Sequence, residues 1–237
     1  MDAPVAKLGA RTSEDENSSS GGPVGELRST SADGAPDWPL ELRETVRSAV
    51  EVHLAGDQRE ESAKRRILRE LTRLERPFDE FAGTVHVTGS ALIVGRRGTV
   101  LHLHKRLGRW MQPGGHVDAP EAPWEAALRE AQEETGLVLS HPDAGYRLLH
   151  LDVHEAAKGH THLDFRYLLL ASDADPSPPP GESPDARWYD WDEALALTDD
   201  SLIGALRVAQ RQPEASEGLP DNGGTSKRVD RVNGGEL

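Results

Sequence analysis

Apolar residues recur at helical spacing twice between Pro39 and Leu74. Leu42, Val46, Ala49 and Val50 form one set, and Ile67, Leu68, Leu71 and Leu74 form another after a Gly56-Asp57 break. Two amphipathic helices are therefore expected. Beyond Pro77 the pattern changes to dense apolar runs, and Val85 to Val94 reads as a strand. The turn Gly95-Arg96-Arg97-Gly98 joins it to a second strand, Thr99 to His104. A Gly-rich turn, Pro113-Gly114-Gly115, leads into a helix. Strands are expected near Tyr146 to Val153 and His162 to Ala171, split by Lys158-Gly159, and Pro176 to Pro184 is a proline-dense loop. Arg187 to Trp191 predicts a short strand, Asp192 a cap for a helix over Glu193 to Leu197, and Ser201 to Gln210 a last helix.

Both ends depart from this patterning. Residues 1–37 are rich in Ser, Gly, Asp and Glu and include Ser18-Ser19-Ser20-Gly21-Gly22, and residues 213–237 return to the same composition. Disordered tails are expected there, with a helical segment over 38–82 and a main domain over 83–212. The 36% apolar content of the 237 residues agrees with a partly unfolded chain. A net charge of −14 argues against gripping a long nucleic acid, because neutralising its phosphates requires clustered Lys and Arg. With no cysteine, the chain has neither disulfides nor thiolate chemistry. Met1 to Arg11 lacks the apolar core of a signal peptide, and no run approaches a membrane span, so a cytoplasmic protein without membrane contact is expected.

The helix after the Gly-rich turn carries the chemistry. Pro123 suits its first turn, Gly136 suits the position just past its end, and about three turns separate them. At about 100° per residue, Trp124, Ala127, Leu128, Ala131 and Thr135 share one arc. Glu130, Glu133 and Glu134 share another, with Ala126 among them leaving room for an ion. Carboxylates at i, i+3 and i+4 repel by a few tenths of a kcal/mol per pair, roughly, in an isolated helix. A hard divalent cation relieves that repulsion and can also accept the oxygens of a phosphate. Solvated glutamates on an exposed helix would look the same in isolation, so the surrounding residues have to decide.

Gly115, Glu121 and then Arg129-Glu130-Ala131-Gln132-Glu133-Glu134-Thr135-Gly136-Leu137 reproduce the spacing G-x5-E-x7-R-E-U-x-E-E-x-G-U. Seven fixed letters at fixed spacing arise by chance on the order of once in 10⁷ starting positions. The chain thus resembles the Nudix hydrolases over roughly residues 83 to 212. Pro120 stands where many members have Gly, and Ala131 is small for its apolar position. The resemblance implies an α+β fold, an α/β/α sandwich around a mixed β-sheet. It implies Mg²⁺, or Mn²⁺, held by Glu133, Glu134 and Glu130, with the carbonyl of Gly114 as a further ligand. Arg129 would orient a neighbouring glutamate, Glu130 would hold metal or take the proton of the attacking water, and Glu121 would steady the loop alongside Gly115 and Gly136. The base varies within this family, so Glu182 in the proline-rich loop is a second candidate.

Several residues outside the motif are candidates for substrate contact. Lys105, Arg106 and Arg109 cluster where a phosphate would approach, and His116 follows the glycine pair directly. Hairpin-end charges and a solvated loop histidine would look alike. His160, His162 and Asp164 share a strand face, with His150 and His154 on the preceding strand, a set able to bind zinc or line a pocket. Lacking cysteine and helical i, i+4 spacing, it reads better as a polar, pocket-facing surface. Trp188 and Trp191 could stack on a base, although aromatics alternating along a strand are more often core.

The leading expectation is a metal-dependent hydrolase that cuts a pyrophosphate linkage in a small nucleoside diphosphate derivative, such as a nucleotide sugar, ADP-ribose or a modified nucleoside triphosphate. The alternative is a catalytically silent nucleotide-binding module, disfavoured by the intact Arg129, Glu130, Glu133 and Glu134. Isoprenoid diphosphate isomerisation resembles proton shuttling through a cysteine, which this chain lacks. The N-terminal helices are open to three roles: the dimerisation element of a homodimer, a lid, or packing against the core.

Overall fold

A computed structural model describes residues 38–217, so the expected disorder of residues 1–37 and 218–237 lies outside the described residues. Helices α1 (Leu40–Val52) and α2 (Gln58–Arg73) come first, joined at the anticipated break, where Asp57 accepts a hydrogen bond from the Glu60 amide at 2.8 Å. Strands β1 (Val85–Gly95), β2 (Gly98–His104), β3 (Arg109–Met111) and β4 (Gly114–His116) follow, then α3 (Pro123–Thr135) and β5 (Leu139–Ser140). The chain continues through β6 (Leu148–Glu155), β7 (Thr161–Ala171), β8 (Ala186–Tyr189), α4 (Trp191–Leu197), α5 (Asp200–Gln210) and α6 (Glu214–Glu217).

The eight strands among the described residues join one mixed sheet. β1 pairs in parallel with β7 along its length, from Val85↔Thr161 to Val94↔Leu170. Its other edge is shared, with β4 antiparallel at Thr88 to Ser90 and β2 antiparallel at Val94 and Gly95. β7 likewise splits its outer edge between β6 and β5, while β3 and β8 flank β2. Because β1 is buried on both faces, it reads as a run of small and apolar residues rather than an alternation.

Helices cover both faces, giving the α/β/α arrangement. On one face α3 contributes Ala126 and Ala127, and α1 and α2 contribute Val46, Val50, Ile67 and Leu71, to a core shared with Leu151, Leu163 and Phe165. The N-terminal helices therefore pack into the core. Buried Glu60 pins them there by accepting from the Leu151 amide at 2.9 Å and from the Gly56 amide at 2.6 Å, with His53 at 2.7 Å. On the opposite face α4 and α5 bury Ala194, Leu202, Leu206 and Ala209 against Leu92, Leu101 and Leu168.

Several local expectations change. The Gly114-Gly115 segment is not only a turn: it pairs in antiparallel register with Gly89 and Ser90 of β1, making it part of strand β4. The last strand stops at Tyr189, and Asp190 rather than Asp192 caps α4, because Asp190 and Glu193 exchange side-chain-to-amide hydrogen bonds at 2.9 and 3.3 Å. Trp191 accordingly lies on α4 and packs on its core, while Trp188 on β8 donates to the Ala174 carbonyl at 2.8 Å. Beyond residue 212, Glu214 on α6 pairs with Arg147 at 3.0 Å.

Candidate functional site

Helix α3 is placed by its small residues. Ala126, Ala127 and Ala131 are all 0% exposed, which lets the helix axis approach the sheet closely. Ala126 thus lies against the core instead of the acidic arc, since the buried arc is centred nearer Ala127 than the apolar spacing suggested. Gly136 ends the helix at φ 67, a left-handed conformation that glycine adopts without a Cβ clash. The rotation leaves Glu130 and Glu134 half-shielded at the rim, with side chains 21% and 16% exposed, while Glu133 is 56% exposed.

Arg129 organises the acidic side. Its guanidinium donates to Glu121 at 2.7 and 3.1 Å, to Glu130 at 2.8 Å, to Glu133 at 3.4 Å and to the His116 carbonyl at 3.0 Å. One side chain therefore ties the loop glutamate, the helix glutamates and β4 together. These bonds, Glu121 foremost, raise its affinity for its proton further, so its charge is fixed. Glu121 also accepts from the Asp118 amide at 3.1 Å, which closes the loop.

The two rim carboxylates meet the backbone of β4. Glu134 accepts from the Gly114 amide at 2.9 Å, and Gly115 lies so near Glu130 that a Cβ there would stand 2.5 Å from the carboxyl carbon. Only glycine allows that approach. Burial pushes the Glu134 carboxyl up to about 8, and the charges of Glu130, Glu182 and Glu133 add to the effect against the opposing Gly114 bond. Burial also raises Glu130, although Arg129 opposes it. His102, held neutral by burial at about 4, stands 3.6 Å from Glu134, beyond hydrogen-bonding distance. A half-buried set of hard oxygen donors that resist ionising together fits a hard divalent cation.

A cavity of about 680 Å³ opens beside this set, with Gly114, Gly115, His116 and Glu130 on one side. Its floor is polar. Buried Asp164 accepts from Thr88 at 3.0 Å, from Ser90 and from Arg166 at 2.9 Å, and Arg166 also bonds Asp152 at 3.1 Å. Both aspartates lie below the ordinary carboxylate range despite their burial, Asp152 chiefly through its bond with His154 and then Arg166, Asp164 chiefly through Arg166. Sequence reading did not single out Arg166, Ser90 or Gln112, because buried polar residues within an apolar strand carry no periodic signal.

The remaining candidates divide. Arg106, Arg109 and His116 line the cavity, but Arg109 is already bonded to Asp199 at 2.7 Å, and Lys105 donates to the Gly181 carbonyl, holding the proline-rich loop to the hairpin. Glu182 lies close enough to act on the Glu134 charge. His154 and His162 line the cavity with Asp164. His150 is instead buried beside Glu60, at 3.9 Å, so the four histidines do not form one cluster.

A model of the NUDIX domain matches residues 82–207. A bis(5'-nucleosyl)-tetraphosphatase (asymmetrical) from Caenorhabditis elegans is 29% identical over 101 residues, covering 41% of this chain and 70% of the relative. A probable DHNTP pyrophosphohydrolase from Lactococcus lactis subsp. cremoris (strain MG1363) is 32% identical over 89 residues, covering 36% of this chain and 54% of the relative. The chain thus spans about half the length of that second protein. Among solved structures, a NUDIX family hydrolase from Clostridium perfringens is 30% identical with a TM-score of 0.44, covering 56% of this chain and 94% of its own.

Proposed function

This chain belongs to the NUDIX domain family as a Nudix-type pyrophosphohydrolase, and from that premise we propose that it uses divalent metal to cleave a nucleoside diphosphate linked to another moiety. The substrate class comprises nucleotide sugars, ADP-ribose and modified nucleoside triphosphates. The observation that carries the reading is the convergence of Glu130 and Glu134 on the Gly114-Gly115 backbone beside a cavity sized for such a ligand.

Glu133, Glu134, Glu130 and the Gly114 carbonyl would hold the cation, Mg²⁺ or Mn²⁺. When bound it would neutralise phosphate charge and strengthen the electrophile. Glu130 is the box carboxylate that lines the cavity, so it takes the proton of the attacking water. Arg129 keeps the Glu130 carboxylate aimed by holding one of its oxygens. Arg106, which also lines the cavity, meets a negatively charged part of the substrate. We place the activity in the cytoplasm; no helix among the described residues is long and apolar enough to cross a membrane.

The test is a product-release screen of nucleoside diphosphate derivatives with Mg²⁺ and with Mn²⁺, run beside Glu134→Gln. Turnover by the parent chain and none by the variant is expected. A chain that turns over no compound in the panel would return the reading to a silent binding module.

A further inference from the structure

Two residues that line the cavity, His116 and His162, belong with buried His86 to a second group of side chains that the hydrolase reading leaves unused. His86 on β1 and His162 on β7 are direct partners in the parallel register, and β4 brings His116 alongside by pairing it with Thr88. The ring centroids stand 5.1 Å apart for His86 and His162, 5.1 Å for His86 and His116, and 5.3 Å for His116 and His162. One ring nitrogen from each of the three lies within 4.8 Å of the others.

His86 is what makes this more than a polar patch. It is 0% exposed, and neither of its ring nitrogens has a hydrogen-bond partner. The Gly83 backbone stands close enough to favour its proton but falls short of bonding geometry. A buried polar group left unmatched costs about 1–3 kcal/mol, so a native chain keeps one where something else satisfies it. Burial and the neighbouring rings hold His86 and His162 neutral at ordinary pH, which leaves each with a free lone pair. His116 has its Nδ1 3.1 Å from a Glu80 carboxylate oxygen. A carboxylate on that side of the ring favours the tautomer with Nδ1 protonated and Nε2 free to coordinate, as outer-sphere carboxylates do for metal-binding histidines.

We propose that His86, His116 and His162 form a second metal site, for a borderline divalent ion of the Zn²⁺ type, with a coordination position open to the cavity. Three imidazoles favour such an ion over Mg²⁺, whereas the carboxylates of α3 favour Mg²⁺, so the two sites sort ions by donor chemistry. Zinc-to-nitrogen bonds of about 2.0–2.1 Å set tetrahedral ligand nitrogens roughly 3.4 Å apart, so nitrogens now within 4.8 Å of one another close in by up to about 1.4 Å on binding. Small ring rotations suffice for that movement. His116 and His162 line the same cavity as Glu130, so the open position faces the bound substrate, and an anionic substrate group would complete the coordination. That last consequence rests on the proposed function; the site itself does not.

The experiment uses the untagged full chain, stripped of metal and titrated with Co²⁺ in millimolar Mg²⁺, following the visible ligand-field bands and competing with Zn²⁺. One equivalent of Co²⁺, displaced by Zn²⁺ and retained when Glu133→Gln and Glu134→Gln are combined, is expected. His116→Gln and His162→Gln should each weaken it about tenfold or more. No bound equivalent in the parent chain, or unchanged binding by both histidine variants, overturns the proposal. If either variant fails to fold by circular dichroism, the paramagnetic shifts of the parent chain decide: shifts on the ring protons of His86, His116 and His162 support the site, and shifts confined to α3 overturn it. Binding of Co²⁺ at the histidines without turnover of any nucleotide would sink the proposed function and leave this site standing.

Discussion

Gly115→Ala tests the site with the smallest change available. The new Cβ would lie 2.5 Å from the Glu130 carboxyl carbon and 2.5 and 2.8 Å from its oxygens, whereas ordinary contact begins near 3.4 Å. The carboxylate must therefore retreat by about 0.9 Å, since β4 is fixed by its pairing with β1. A displacement of about 1 Å at a reacting group costs about 10²-fold in rate, which corresponds to about 2.7 kcal/mol of lost transition-state stabilisation. Stability should change far less. Retreat strains the half-exposed Arg129–Glu130 pair, worth about 1 kcal/mol or less, and Arg129 keeps Glu121 and the His116 carbonyl. The assay is initial-rate kinetics on the best substrate from the screen, paired with a urea melt. A kcat fall of about a hundredfold with a nearly unchanged midpoint is expected. A variant within threefold of the parent kcat would refute the claim that the Glu130 position matters to catalysis.

Other outcomes follow from the same geometry. The folded-state Glu134 carboxyl sits at about 8, above its ordinary 4.5, so in metal-free buffer the fold binds the extra proton and loses stability as pH rises between those values. The loss is up to about 5 kcal/mol. Denaturation in chelator should show that slope for the parent chain, and Glu134→Gln should lack it while also losing turnover; equal slopes would refute the assignment. Arg166→Met leaves buried Asp164 without its cation, while Asp152 keeps Arg59 at 2.9 Å, and urea unfolding should show a loss of about 3–5 kcal/mol. A loss below about 1 kcal/mol would mean that Asp164 finds another partner. Arg106→Ala should raise KM up to about tenfold with kcat nearly unchanged, as expected for a cation that binds substrate and transition state alike. A fall in kcat at constant KM would instead place Arg106 on the developing charge.

Much of the molecule was readable because its signals are local. The α3 boundaries follow from Pro123 and Gly136, its acid set from spacing, and the hairpin from Gly95 to Gly98, all settled within a few residues of chain. The readings that failed are those where a partner distant in sequence decides. Gly114 and Gly115 read as a turn until β1 supplies the ladder that makes them a strand. Ala126 falls on the acidic arc of a helical wheel, yet the sheet beneath α3 sets which arc is buried.

The amino-acid order alone therefore determined the family, the reaction class and the residues expected to hold metal, because a motif with fixed spacing on one helix carries its own geometry. Tertiary structure decided what surrounds that helix. His86, His116 and His162 are 30 and 46 residues apart along the chain, roughly by their numbering, and only the β1–β7 and β1–β4 pairings bring their rings together. Strand register joins such residues without leaving a mark in either strand, since each histidine is an ordinary polar residue within its own segment. The helix can be read from its own letters, whereas the cavity it faces exists only once the sheet has closed.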